Sequence, residues 1–368
     1  MGFTATERAL RAAEPAQPRT PDAASRDAPA PGLSVRVFCA LLGLVLCAPF
    51  LLRALSLATP EAMDLFLLTP VTATAAQLPL GSSAGTASVC GRDDAKVAPL
   101  STLAALQAAG EGTLRVSVPP WVFASPEVLR EAADALGPAP PPSDIYIMGK
   151  YTHAQFGEDV YAYENFFFGR RDGVILESGA LDGNQFSTSW FFVKALGWRA
   201  VHIEPSPVNF GSLSFQRPEA LNIHMALCNE SRSVRFITQE NSVSAVGGIW
   251  EFMTPQQRVK WFGELSPEAV EALPTIPCQP LEPLLTMFGV THIDLWILDV
   301  EGAEASVLSA VDLACIDVSV IVVESDGTWP EKDATVQGML RDRHYTLHHH
   351  ADKNDWWVKE GFQPVSRH

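Results

Sequence analysis

Four carboxylates close four short apolar runs. Val174-Ile175-Leu176 ends in Glu177, Val201-His202-Ile203 in Glu204, Leu295-Trp296-Ile297-Leu298 in Asp299, and Val320-Ile321-Val322-Val323 in Glu324. As strands of one parallel sheet, these runs would aim their acids into the crevice beyond the strand carboxyl ends, where open α/β sheets bind ligands. Gathering carboxylates in a partly dry crevice raises their pKa values and costs free energy unless something compensates. The expected ligand is therefore cationic, rich in hydroxyls, or a metal ion. Any one acid, taken singly, is as readily a cap for the next helix; that account is weak for all four together.

A glycine turn follows the first run. Glu177-Ser178-Gly179-Ala180-Leu181-Asp182-Gly183 leads into a helix expected over Phe186 to Leu196, with Ser187 or Asn184 near its start. Glycine lets the backbone turn tightly and approach a ligand. The dinucleotide pattern G-x-G-x-x-G is not met, because only Gly179 and Gly183 are present. Glu204 stands 21 positions after Gly183, where Rossmann-type sites place an acid on ribose hydroxyls. S-adenosylmethionine, with its sulfonium, ammonium and ribose diol, suits this set, whereas a nicotinamide dinucleotide would bring a repelled pyrophosphate. Asp299 and Glu301, two apart, share a face on an extended strand end. One of them is a candidate general base, or the pair a candidate holder of a divalent metal; Asp326 is a third candidate. Against this, Glu301 is equally placed to cap a helix beginning near Gly302 and Ala303.

The elements that must position these groups begin at Asp144, where short apolar runs alternate with segments of helical length, the texture of an α/β domain with a mainly parallel sheet. We divide the chain into a Pro/Ala-rich cytosolic tail (1–32), a transmembrane signal anchor (33–58), a partly helical stem (59–143) and the α/β domain (144–368). Val37 to Leu52 carries no charge, and Arg53 near its end is able to snorkel. Arg19, Arg26 and Arg36 precede the span, which places the N-terminus in the cytosol and the large C-terminal part in the lumen of the Golgi or ER. Helices are expected at Leu100 to Ala109 and Pro126 to Leu136 of the stem. A net charge of −16 argues against nucleic acid as a partner. The six cysteines include no Cys-x-x-Cys pair, so a structural zinc site has no support.

Gln155-Phe156-Gly157-Glu158-Asp159, the Glu177–Gly183 turn, Gly197-Trp198, Ile203-Glu204-Pro205-Ser206-Pro207, and Ile293-Asp294 leading to Leu298-Asp299-Val300-Glu301-Gly302-Ala303-Glu304 resemble, in order and spacing, the FkbM-type methyltransferases. The resemblance runs from about His153 to Glu324. It implies a class I, Rossmann-like fold: seven strands in a mainly parallel sheet, the last antiparallel, with helices on both faces. It also implies S-adenosylmethionine as methyl donor and O-methylation of a hydroxyl on a sugar, glycan or small molecule. Carried over by position, Glu177, Gly179, Ala180, Asp182 and Gly183 form the methionine-side loop. Glu204 with Pro205 takes the ribose, Ala226 to Cys228 lies near the adenine, and Asp299 and Glu301 sit beside the methyl group and the acceptor. No metal is assigned. One departure is Ser178, where an apolar residue is expected more often. The stretch from Val243 to Leu273 reads as an insert peculiar to this chain.

Other features carry blander expectations. His348-His349-His350 reads as a surface strand, since alternate side chains of a strand face opposite ways. Tyr345 and Trp356-Trp357 are expected to pack the last strands, and Phe166 to Phe168 to be buried. Trp250, Phe252, Trp261 and Phe262 in the insert form either ordinary packing or a platform over the acceptor. Asn229-Glu230-Ser231 is a glycosylation sequon. In a lumenal domain, Cys90, Cys228, Cys278 and Cys315 have three possible pairings. Three other functions compete: a type II membrane glycosyltransferase, which the acids at Glu177 and Glu204 disfavour, a non-catalytic methyltransferase-like scaffold, and a nicotinamide oxidoreductase.

Overall fold

The computed structural model describes residues 72–75, 114–137, 150–238 and 243–367. All of these lie within residues 64–368. The expected membrane span and the helix expected at Leu100 to Ala109 lie outside the described residues. Among the described residues, no helix is long and apolar enough to cross a membrane.

All four apolar runs are strands: β3 (Val174–Ser178), β4 (Arg199–Glu204), β10 (His292–Leu298) and β11 (Asp317–Glu324). They are neighbours in one parallel set, in the order β4-β3-β10-β11. Their side chains are buried on both faces, which is why they read as continuous Val/Ile/Leu runs rather than alternating ones. The third strand, β5 (Leu221–His224), extends the sheet beyond β4. At the other side β13 (Asn354–Lys359) runs antiparallel to β11, and β12 (Tyr345–Ala351) pairs with it. These seven strands meet the expected class I pattern, including the antiparallel last strand.

The sheet nonetheless has nine strands. Two stretches of the segment expected to be a stem, β1 (Thr72–Ala75) and β2 (Leu114–Ser117), add antiparallel to its β5 edge. Val116 of β2 is buried in the main core. The reason is physical: β5 would otherwise present an unpaired edge, and β2 satisfies it. The helix α1 (Pro126–Ala135) is capped by Ser125, whose hydroxyl accepts from Val128 N.

Helices flank the sheet: α2 (Glu158–Asn165), α3 (Thr188–Leu196), α4 (Pro207–Gln216), and later α7 (Leu281–Met287), α8 (Glu304–Ala310) and α9 (Pro330–Asp342). Two cores form, one on each face. Trp357 and Trp296 belong to one, Trp356 and Phe166 to the other, as alternation along β13 demands. The insert contributes β8 (Gly247–Ile249), α5 (Pro255–Phe262) and α6 (Pro267–Glu271). A capping box between Thr254 and Gln257 starts α5. With β6 (Ala226–Leu227), β7 (Arg232–Thr238) and β9 (Thr275–Gln279), β8 makes a second sheet, ordered β6-β9-β7-β8. Cys228 and Cys278 form a disulfide across its β6–β9 end; Cys90 lies outside the described residues.

Candidate active site

The strand order reverses between β3 and β10: β4 and β5 lie to one side, β11 and the last strands to the other. A crevice opens at such a switch point. Here it holds a cavity of about 310 Å³ lined by Glu177, Glu204, Asp299, Glu301 and Glu324, with Gly179 and Ala180 between them. The turn after β3 and the end of β10 are in close contact. Gly179 has φ of 89°, and a methyl group on it would run into the Asp299 carbonyl oxygen, so only glycine fits there. Gly179 N donates to Ile203 O, and Asp299 N donates to Ser178 O. Ser178, the departure noted above, accepts from Trp296 Nε1 at 3.0 Å; its hydroxyl satisfies an indole that would otherwise be buried unpaired.

The acids of β3 and β4 are held by the chain itself. Glu177 accepts from Ser189 N at 2.6 Å and from the hydroxyls of Ser187 and Ser189. It thus serves the start of α3, whose N-cap is Ser187. Behind it, Ser189 Oγ lies 2.8 Å from His202 Nε2, His202 Nδ1 lies 2.8 Å from Asn222 Oδ1, and Asn222 Nδ2 donates to Arg217 O. Burial and the Arg217 charge push His202 well below its ordinary value. Burial raises Glu177 against the pull of Arg217 and of Ser189 N. Glu204 accepts from Leu181 N and Ser206 N, both at 2.8 Å, and from Asn209 Nδ2. Burial pushes it up to about 7 in spite of those bonds.

The other side is built differently. Asp299 is raised by burial and by the neighbouring charges of Glu301 and Glu304. Burial, then Glu324 and Glu304, raises Glu301; Asp299, then burial, raises Glu324. Glu301 adopts a left-handed φ of 54°, a strained conformation for a non-glycine residue of the kind that clusters at functional sites. Glu301 does not cap the following helix: α8 begins at Glu304 with Ala303 as its N-cap and no side-chain cap. Glu304 Oε1 accepts from Val300 N and Gly302 N, both at 3.2 Å, and so clamps the Asp299–Gly302 turn.

Most residues expected in the site do meet there. Glu177, Gly179, Ala180, Glu204, Pro205, Ala226, Asp299 and Glu301 all line the cavity; Asp182 and Gly183 do not. The Asp182 carboxylate accepts from Asn184 N, Gln185 N and Gln216 Nε2, closing its own turn. Gly183, at φ of 74°, gives the Arg217 side chain room. Asp326 likewise binds its own loop, accepting from Thr328 N and Oγ1. Residues that sequence reasoning left out include Asn209, Lys353 and Asn354, and the insert segment Ser244 to Ile249. Nothing local marks them; only the proximity of Asn209 to the Glu204-Pro205-Ser206-Pro207 motif was a hint. From the Gln155–Asp159 motif, Asp159 accepts from His153 N and Ala154 N and Glu158 accepts from Phe156 N, which brings Gln155 and Phe156 to the cavity.

The histidine triplet has a structural role. A bulge between Leu347 and His349 sets both His348 and His349 against the Tyr161 ring, and His350 pairs with Asp355 at 2.7 Å.

A mixed sheet with its antiparallel last strand, a switch-point cavity and acids at four adjacent strand ends define a class I methyltransferase-like α/β fold. Residues 177–354, just under half of the chain, match the model of the methyltransferase FkbM domain, so this part of the chain is a methyltransferase domain of that type. No curated protein matches the chain. Among solved structures, the methyltransferase FkbM from Methylobacillus flagellatus KT is 13% identical, over 54% of this chain and 47% of its own, with a TM-score of 0.30. Precorrin-6y C5,15-methyltransferase from Geobacter metallireducens GS-15 is 12% identical, over 52% of this chain and 82% of its own, with a TM-score of 0.28. An O-methyltransferase from Bacillus cereus in complex with SAH is 13% identical, over 63% and 90%, with a TM-score of 0.25.

Proposed function

We propose that the chain transfers the methyl group of S-adenosylmethionine to a hydroxyl of a sugar, glycan or small molecule, with glycans the first class to examine. One observation carries this reading: the cavity gathers five carboxylates and Glu158 against a single lysine, Lys353. Such a donor set favours a ligand that brings positive charge and hydroxyls and disfavours a pyrophosphate. The glycosyltransferase and oxidoreductase alternatives lose ground on the same count.

S-adenosylmethionine supplies a methyl group activated by its positively charged sulfur. Glu204, oriented by Leu181 N and Ser206 N, is placed for the ribose hydroxyls, and the Gly179-Ala180 backbone for the methionine portion. Ala226 and Leu227 border the cavity on the side proposed for the adenine. Asp299 and Glu301 face the acceptor. Because burial and neighbouring carboxylates raise their proton affinity, one of them in its ionised form is suited to take the acceptor's proton as general base. Phe156, Phe186 and Trp261 line the cavity yet stay 40%, 42% and 40% exposed. Aromatic faces available to an incoming ligand suit stacking on a sugar ring; of the insert's aromatics, this is the role of Trp261, whereas Phe252 packs against the core.

We further propose that residues 33–58 anchor the chain in a membrane with the methyltransferase domain lumenal. The Cys228–Cys278 disulfide and the exposed sequon beginning at Asn229 support this, because both belong to oxidising, glycosylating compartments. A mobility shift of the secretory-pathway product on enzymatic deglycosylation, lost in Asn229→Gln, checks the topology.

Calorimetric titration of S-adenosylmethionine into the full chain, beside Glu204→Ala, tests the donor. Saturable binding that the substitution weakens is expected; a folded wild type that does not bind would sink the reading. Transfer of a labelled methyl group to glycans, with small-molecule alcohols in parallel, then tests the acceptor class.

A further inference from the structure

The acceptor-side acids contain a cluster that resembles a cation site. Asp299, Glu304 and Glu324 each bring one carboxylate oxygen to within 4.8 Å of the others. A cation already attends it. Lys332, in the first turn of α9, places Nζ 3.0 Å from Glu304 Oε2, with both side chains 8% or less exposed. The same ammonium donates to Glu324 O at 3.5 Å and lies 3.7 Å from Asp333 Oδ1. Burial works against this ammonium, yet the charge and hydrogen bond of Glu304, with Glu324 and Asp333, hold it above its ordinary value. Its charge also acts to lower Asp299, Glu301 and Glu324 against their mutual repulsion.

The geometry has a mechanical side. Glu304 uses Oε1 to hold Val300 N and Gly302 N, and Oε2 to meet Lys332. Asp333, beside Lys332, accepts from Gly327 N. One lysine therefore ties the turn after β10 to the turn after β11, the two loops that carry the acceptor-side acids.

We propose that Lys332 is a positioning residue that serves as the built-in cation of this site. It neutralises the Asp299–Glu304–Glu324 cluster and fixes both loops, the work a divalent metal would otherwise do, and its removal turns the cluster into a metal site. The inference rests on the methyltransferase reading only for its effect on the reaction; metal binding is tested independently of donor and acceptor.

The test titrates Mn²⁺ into the full-length wild type, Lys332→Met and Lys332→Arg, following free Mn²⁺ by electron paramagnetic resonance. The wild type and the Arg variant are expected to leave Mn²⁺ free. The Met variant is expected to bind one ion per chain, at least about tenfold more tightly. The second readout is the pH profile of S-adenosylmethionine affinity. In the Met variant the rise in affinity moves upward by about one pH unit, and Mn²⁺ brings it back; the Arg variant keeps the wild-type profile. The charged groups around the ammonium are Glu304, Asp333, Glu324, Asp299, Glu301 and Asp326. Wild type binding Mn²⁺ as tightly as Lys332→Met would overturn the proposal. So would a folded Met variant with no Mn²⁺ affinity and an unmoved pH profile. If Lys332→Met does not fold, Lys332→Gln, which keeps a hydrogen-bonding head against Glu304, replaces it.

Discussion

The two walls of the cavity use the same residue types in opposite ways. On the β3–β4 wall, Glu177 and Glu204 spend their oxygens on backbone N–H groups, at the start of α3 and in the turns after β3 and β4. On the β10–β11 wall, Asp299, Glu301 and Glu324 face one another and are raised by mutual repulsion as well as burial. A carboxylate fed by backbone donors is fixed in place and shapes a binding surface. One opposed by its neighbours has a raised proton affinity and so exchanges its proton near neutral pH. The first wall suits recognition of a constant donor, the second the chemistry on a variable acceptor.

The sharpest way to break this contrast is Asp299→Asn. Methyl transfer is expected to fall about 10²–10⁴-fold, the range a general base contributes, while S-adenosylmethionine affinity by calorimetry falls far less, by at most about tenfold. An unchanged rate with labelled donor would show that the base lies elsewhere. On the opposite wall, Glu177→Ala should act on stability instead. It strands the donors of Ser187 and Ser189 and removes the negative charge that offsets the buried Arg217, at a cost of about 3 kcal/mol. Denaturant unfolding measures it, and a loss below about 1 kcal/mol would mean the polar network is dispensable.

The pH dependence sharpens the contrast. For groups raised in the folded state, the native protein binds more protons than the unfolded chain, so stability falls with rising pH. Their contribution is fully present below the ordinary carboxylate range near ~4. It is lost as pH rises through the folded values, about 7 for Glu204. Affinity for the cationic donor moves the other way, because the sulfonium favours ionised acids, and changes by at most about tenfold per pH unit for each coupled group. Melting temperature and donor affinity measured across one pH series should therefore run in opposite directions, and parallel trends would contradict the charge assignment. The smallest effect is expected for Ser178→Ala, which removes the acceptor of Trp296 Nε1: about 1 kcal/mol by thermal unfolding, with the donor site intact.

Much of both walls could be read from the chain alone. A buried parallel strand announces itself as a short apolar run, and its terminal acid is adjacent in sequence, so Glu177, Glu204, Asp299 and Glu324 were visible without a fold. The glycine turn was visible for the same local reason, although Asp182 and Gly183 proved to support the turn rather than line the cavity. The extra sheet strands were not legible: Leu114–Ser117 is four residues long inside a Pro/Ala/Gly-rich segment, and only the open β5 edge gives it a place.

The sequence by itself thus determined the strand ends, the order of the motifs and the charge of the crevice, because each depends on residues close together along the chain. Tertiary structure alone decided which acids would be satisfied and which would repel. Glu304 reaches back to its own turn, but its partner Lys332 arrives from the next helix. The insert meets the cavity through Ser244 to Ile249, and Gly302 lies against the Phe252 carbonyl. Those contacts come from packing between elements far apart in sequence, and a carboxylate's proton affinity is set by whatever charge packing brings within a few ångströms.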